Sequence, residues 1–198
     1  MWNEGASLNP KIFTYDKLED LFFGGVNYND LGKHGISKYD IKPYLPIQKN
    51  EFKKFEIHTA VLPYYMKYNP QDNFYLAKEK TNFQTNSQRT DGTYSKYSSI
   101  DDKMDDLHHY TWFIKTGRGR CTEDACLEIR NKIITREEGI SLVKKYDGEF
   151  PKTYINDILK YLNLDMKEFE NIIDSFRPKH LWKKENGVWS LKKPIWEA

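Results

Sequence analysis

Residues 92–130, GTYSKYSSIDDKMDDLHHYTWFIKTGRGRCTEDACLEIR, decide the fold. They read as a loop, a long helix, a glycine-broken turn and a second helix. Ser98 or Ser99 can cap the first helix, because a serine hydroxyl accepts from an unpaired amide of the opening turn, so the pattern predicts a start near Ile100. Asp101 and Asp102 then fall where the helix dipole favours negative charge. Ile100, Met104, Leu107, Thr111 and Ile114 recur at helical spacing as one buried stripe, widened by Tyr110, Trp112 and Phe113. Gly117 and Gly119 end the helix, and Lys115, Arg118 and Arg120 crowd around that end.

Two readings compete for the polar residues of this stretch. In one, acids at the start and bases at the end complement the macrodipole, and Asp101, Asp102, Asp105 and Asp106 form a solvated face. In the other, Asp101, Asp105 and His108 share one side of the helix while Asp102, Asp106 and His109 share the next, and either trio could hold a hydrated cation. Lys-Thr-Gly-Arg-Gly-Arg would then offer a flexible backbone and three cations to a phosphate or another anion. It is not a Walker motif.

Outward from this centre, Asn69-Pro70 has the cap-then-proline order of a helix start, continuing through DNFYLAKEKT. Thr122 is expected to cap the second helix. Thr135 with Glu138 and Asp165 with Glu168 have the spacing of reciprocal caps. Pro151 is expected to open a helix with Tyr154, Ile155, Ile158, Leu159 and Leu162 inside. Each helix is too short to persist alone, so together they should form one helical subdomain. His180–Leu191 reads as a hairpin turning at Asn186-Gly187, across which Trp182 and Trp189 can pair, either packed onto the helices or exposed to stack on a sugar. Glu123, Asp124, Glu128 and Arg130 read as pairs across helix turns or as members of a site.

The first third is different. Phe13–Phe23 can form a short helix closed by Gly24-Gly25, and the turn-rich run after it gathers Asn27, Tyr28, Asp30, His34, Tyr39 and Asp40. Those polar side chains either contact a ligand or stabilise turns. Ile57–Pro63 is the one convincing strand, with His58 more simply a packing residue than a ligand.

The chain has 198 residues, enough for one or two small domains, and 15% aromatic residues supply bulky core material. With 31 bases against 29 acids the net charge is +2, which gives no nucleic-acid footprint. No apolar run suits a membrane span and the opening residues have no signal-peptide core, so a cytoplasmic protein is expected. Cys121 and Cys126 fit packed free thiols better than a zinc knuckle or disulfide framework.

The runs GTYSKYSSIDDK (92–103), Gly119-Arg120, Glu128-Ile129-Arg130, ITREEG (134–139) and DGEFP (147–151) resemble the C-terminal half of the N-acetyl sugar amidotransferases, over about Phe22–Leu191. That family belongs to the ATP pyrophosphatases of lipopolysaccharide and flagellar glycan biosynthesis. The resemblance implies conversion of a sugar acetamido group to acetamidino, using ATP, Mg2+ and ammonia from a glutaminase partner. On that reading the catalytic residues would be Asp101 and Asp102, handling metal or ammonium, and His108 or His109, transferring a proton, with the metal held at Asp101 and Asp105. ATP or phosphate contacts would come from Lys115, Arg118, Arg120, Asp124 and Arg130, and contacts to the N-acetylated sugar from Tyr28, His34 and Lys96.

The family's Ser-Gly-Gly-x-Asp-Ser nucleotide loop and its paired-cysteine segment are both missing from the sequence. The expectation is therefore a C-terminal part that needs a nucleotide-binding half and does not turn over alone. The expected fold is mainly α with a small β contribution: residues 1–66 as the edge of an α/β nucleotide-binding domain, 67–178 as a helical subdomain and 179–198 as a hairpin tail. Two rivals stand beside this reading. One is a non-catalytic helical interaction module, and the other an RNA-modifying ATP pyrophosphatase, which the balanced charge opposes.

Overall fold

A computed structural model describes Ile12, Phe13, Tyr15 and residues 27–197, and contacts divide the chain into two units, Met1–Tyr68 and Asn69–Ala198. In the first unit, β1 (Ile12–Phe13) pairs antiparallel with β2 (Thr59–Ala60), Ile12 opposite Ala60. A 3-10 helix at Tyr28–His34 is capped by the Asn27 side chain, which accepts from the Asn29 amide. Helix α1 (Lys38–Ile41) carries a reciprocal cap between Ser37 and Asp40, and α2 spans Lys49–Lys54.

The expected strand Ile57–Pro63 shrinks to β2, whose two residues are both exposed, and Leu62–Tyr64 coils into a 3-10 helix. Pro63 explains the change: it has no amide to give a ladder, and its fixed φ suits a first helical turn. No parallel sheet occurs among the described residues. The expected helix Phe13–Phe23 lies, beyond Phe13 and Tyr15, outside the described residues, and Phe13 itself pairs in β1.

The second unit begins as the sequence signals: Asn69 caps α3 (Pro70–Lys80) by accepting from the Gln71 amide at 3.1 Å. Then come α4 (Asp105–Thr116), α5 (Arg120–Arg130), α6 (Arg136–Tyr146), α7 (Ile155–Leu162) and α8 (Met166–Ser175). The reciprocal caps form at Thr135–Glu138 and Asp165–Glu168. A hairpin of β3 (Trp182–Glu185) and β4 (Val188–Leu191) closes the unit, with Asn186 at φ 51° and Gly187 at φ 82° in its turn. The chain is thus mainly helical with small antiparallel sheets, and among the described residues no helix is long and apolar enough to cross a membrane.

Helix α4 starts five residues later than its sequence pattern implies. Ser99 has φ 53°, which ends any helix entering from Ser98, and the Asp102 side chain accepts from the Met104 amide at 2.7 Å, making a local turn instead. The buried face shifts accordingly. Phe113 and Ile114 are in the core with Leu107 and Tyr110 against them, whereas Ile100 is 37% exposed. Helix α7 likewise begins at Ile155, after a turn that buries Pro151.

The main core joins Phe113, Ile114, Ile155, Phe169, Ile173 and Trp182. Each such side chain contributes about 1.5–3 kcal/mol by leaving water. The Trp182 indole donates to the Ile114 carbonyl at 2.7 Å and fixes the hairpin on α4. Trp182 faces Leu191 rather than Trp189, so the two tryptophans are not a cross-strand pair. Instead the Arg177 guanidinium stacks on both, 4.4 Å from Trp182 and 5.4 Å from Trp189, and pairs with Asp174.

Candidate functional site

Three consecutive residues, Asp147-Gly148-Glu149, hold the centre of the second unit together. Asp147 accepts from the Gly119 amide at 2.9 Å, the Thr122 amide at 3.1 Å and the Thr122 hydroxyl. It therefore caps α5 from another element, the work assigned above to Thr122, and places negative charge at the positive end of the helix. Gly148, at φ 76°, lets the chain pass Phe113: a Cβ there would stand 2.2 Å from the ring. Glu149 clamps Arg89 through both oxygens, at 2.5 and 2.7 Å, and also accepts from the Gly92 amide. The Arg89 guanidinium holds the Glu149 carboxyl down at about 2.

This arrangement answers what the Gly117–Arg120 turn can bind. Its inward amides, on Gly119 and Thr122, are already occupied by Asp147, and a Cβ on Gly119 would meet that carboxylate at 2.8 Å. The three cations diverge. Lys115 is exposed and lies over the Phe176 ring at 5.1 Å, Arg118 is exposed, and Arg120 turns inward. The turn offers no cradle of free amides for a phosphate.

Arg120 donates to Asp124 at 3.0 Å, and Thr93, fully buried, donates to the other Asp124 oxygen at 2.6 Å. Arg120 also reaches His109 Nε2 at 3.5 Å. Arginine can only donate, so Nε2 accepts and the ring proton sits on Nδ1, which is buried with no hydrogen bond. Burial, then the Arg120 charge, lowers His109 to about 4, so the imidazole is neutral at neutral pH. The structure thus brings together His109, Arg120 and Asp124, three of the expected site residues.

Beside them runs a cleft between the start of α3, the loop at Tyr94–Ser98 and α5, with Asn69, Tyr94, Ser95, Tyr97, Asp124 and Glu128 among its lining residues. Its volume is about 20 Å³, room for one water-sized molecule. Glu128 is 9% exposed, and burial, with Asp124 nearby, raises its carboxyl. The Tyr94 hydroxyl is buried beside it, and burial, then the Glu128 charge, pushes the tyrosine up. Spacing alone left Glu128 either a member of a helix-turn ion pair or of a site, and only its place in the Glu128-Ile129-Arg130 run of the resemblance singled it out.

The remaining expected residues stand apart. Asp101 and Asp102 are exposed and precede α4, so neither acidic trio forms, and no group of His, Cys, Asp or Glu suited to a metal ion occurs among the described residues. His108 is exposed with its ring edge-on to Trp112, Arg130 is exposed and donates to the Cys126 carbonyl, and Lys96 donates to the Ser87 carbonyl. Asp105 opens α4, but its neighbour Asp106 is the buried one: 4% exposed, it is pushed up to about 7 by burial and then by Asp91. In the first unit Tyr28 lines a separate open pocket of about 570 Å³ with Asn29, Ser37, Lys38 and Ile41, and His34 is exposed outside it.

Residues 91–195 match the family of LPS biosynthesis protein WbpG-like, C-terminal domain. That is more than half of the chain. The chain belongs to the WbpG-like family of LPS biosynthesis proteins. The WbpG-like domain runs from Asp91, which accepts from the Thr153 amide at 2.8 Å, through the hairpin, and it contains Arg120, Asp124, His109 and Glu128. No curated protein matches the chain.

Proposed function

We propose that the chain is the C-terminal part of an ATP-dependent N-acetyl sugar amidotransferase of lipopolysaccharide biosynthesis, related to the ATP pyrophosphatases. Its membership of the WbpG-like family over residues 91–195 carries this reading. The fixed group of Arg120, Asp124 and His109 supports it, because a buried cation beside a carboxylate and a neutral imidazole is suited to orienting a polar substrate. In this reading a glutaminase partner supplies ammonia and the product carries an acetamidino group.

ATP and Mg2+ enter by resemblance, and the described residues do not fit them. The amides of the Gly119 turn are taken by Asp147, and no carboxylates gather for a divalent ion among the described residues. In this reading both are held by the family's nucleotide-binding half, while the WbpG-like domain handles the sugar or the nitrogen. The filled turn also favours a second reading, a helical module that docks to catalytic partners without touching substrate.

The deciding experiment works in the cell that encodes the chain. Arg120→Ala should leave the protein folded and remove acetamidino sugars from its lipopolysaccharide by mass spectrometry. Normal amidination with Arg120→Ala would favour the docking module, and no acetamidino sugar in the parent strain would end the amidotransferase reading.

A further inference from the structure

Two covered donors on α4 have nothing to donate to. His109 Nδ1 and Trp112 Nε1 are both buried, and neither closes a hydrogen bond among the described residues. An indole nitrogen can only donate, and His109 carries its proton on Nδ1 because Arg120 takes Nε2 at 3.5 Å. A fold rarely leaves such a group without an acceptor, and here there are two. They stand three residues apart on α4, which puts them on one face within one turn. His109 and Trp112 each keep part of their surface in solvent although these two atoms are covered, so a small solute can reach this face. The charges around it define the acceptor. Arg120 polarises the imidazole through Nε2 and makes Nδ1–H a stronger donor, which favours a negative partner. Asp124 is already taken by Arg120 and Thr93. Asp105, one turn before His109, acts on the ring through its charge but closes no hydrogen bond on either nitrogen among the described residues.

We propose that this face of α4 binds the carboxylate of a small ligand, one oxygen on His109 Nδ1–H and the other on Trp112 Nε1–H. Two N–H groups, with a guanidinium behind one of them, match a planar anion whose charge is spread over two oxygens. Arg120 touches no ligand in this arrangement; it fixes the His109 tautomer and strengthens its donor. Asp105 limits affinity, because a bound carboxylate lies near its like charge. The site goes beyond the amidotransferase reading and does not depend on it.

The test follows the indole N–H signals of the whole chain by nitrogen-labelled NMR, with Trp112→Phe identifying the one that belongs to Trp112 among five tryptophans. Sodium acetate should move that signal downfield in a saturable way. Acetamide, the neutral analogue, and sodium chloride at equal ionic strength should leave it in place. His109→Phe should weaken acetate by at least about tenfold, the loss of one charge-assisted hydrogen bond. Asp105→Asn, which removes the nearby like charge and leaves both donors, should tighten acetate and guards against misfolding of the first variant. A Trp112 signal indifferent to acetate would mean that a buried water or Asp105 satisfies the donors, and the proposal would fall. An equal response to chloride, or a response to inorganic phosphate without one to acetate, would also overturn it. Acetate bound by a protein whose cell makes no acetamidino sugar would uphold this site while removing the amidotransferase reading, whereas amidination with no acetate response would do the reverse.

Discussion

The two ends of α5 make opposite use of charge. At its start the Gly117–Arg120 turn has amides and cations, the composition of an anion site, yet Asp147 occupies the inward amides and the cations point three ways. Near its end Glu128 sits in what reads as an ordinary run of helix-surface acids, yet it is buried beside the Tyr94 hydroxyl. Charge type is visible in a sequence, but whether a polar group is already satisfied is settled by residues far along the chain. Asp147 reaches Gly119 across 28 positions and Thr122 across 25.

The sharpest way to break this contrast is to empty the filled end. Asp147→Ala removes a buried cap and leaves two amides of α5 unpaired, which should cost about 2–4 kcal/mol in urea unfolding. The freed amides at a helix start should then accept an anion. Sulfate should therefore recover more stability in the variant than in the parent, and an equal response in the two would mean that Asp147 was not holding the turn closed.

A smaller effect separates the buried acids around α4. Asp106 has a folded pKa of about 7 because burial, then Asp91, Asp105 and Glu149, disfavour its charge, while an unfolded aspartate titrates near about 4. Raising the pKa of an acid on folding means the fold prefers the neutral form. Asp106 therefore contributes a loss of stability that grows as pH rises from about 4 to about 7 and is complete above that. Asp106→Asn should remove this slope and stabilise the protein above about pH 7 by roughly 1–3 kcal/mol, with little change near about pH 4. Chemical unfolding at both pH values checks it, and an unchanged slope would place the uncompensated charge on another group.

What could be read from the sequence follows the range of each signal. Caps act over three residues, so Asn69-Pro70, Thr135–Glu138, Asp165–Glu168 and the Asn186-Gly187 turn were all legible. The start of α4 was not, because Ser98, Ser99, Asp101 and Asp102 suit either a cap or a local turn, and Asp102 takes the turn by accepting from Met104. That one choice moved Asp101 and Asp102 off the helix and dissolved the metal trios. Within the site, the pairing of Arg120 with Asp124 was legible as an i,i+4 pair. The burial of Glu128 was not, since it depends on Tyr94 and Asn69 arriving from other elements.

The smallest expected effect lies at Arg118, and it sharpens the comparison because so little structure depends on it. Arg118 is exposed where Arg120, two residues on, is fixed between Asp124 and His109. Arg118→Ala should change unfolding stability by less than about 0.5 kcal/mol, as for surface substitutions away from caps and cores. Because the fold is then unaltered, lipopolysaccharide made by the Arg118→Ala strain reports on function alone. Lost acetamidino sugar would mean that the outward cation meets a substrate or a nucleotide-binding partner. Unchanged sugar would confine the chemistry to the inward side of α5, where Arg120, Asp124 and Glu128 line up along one face.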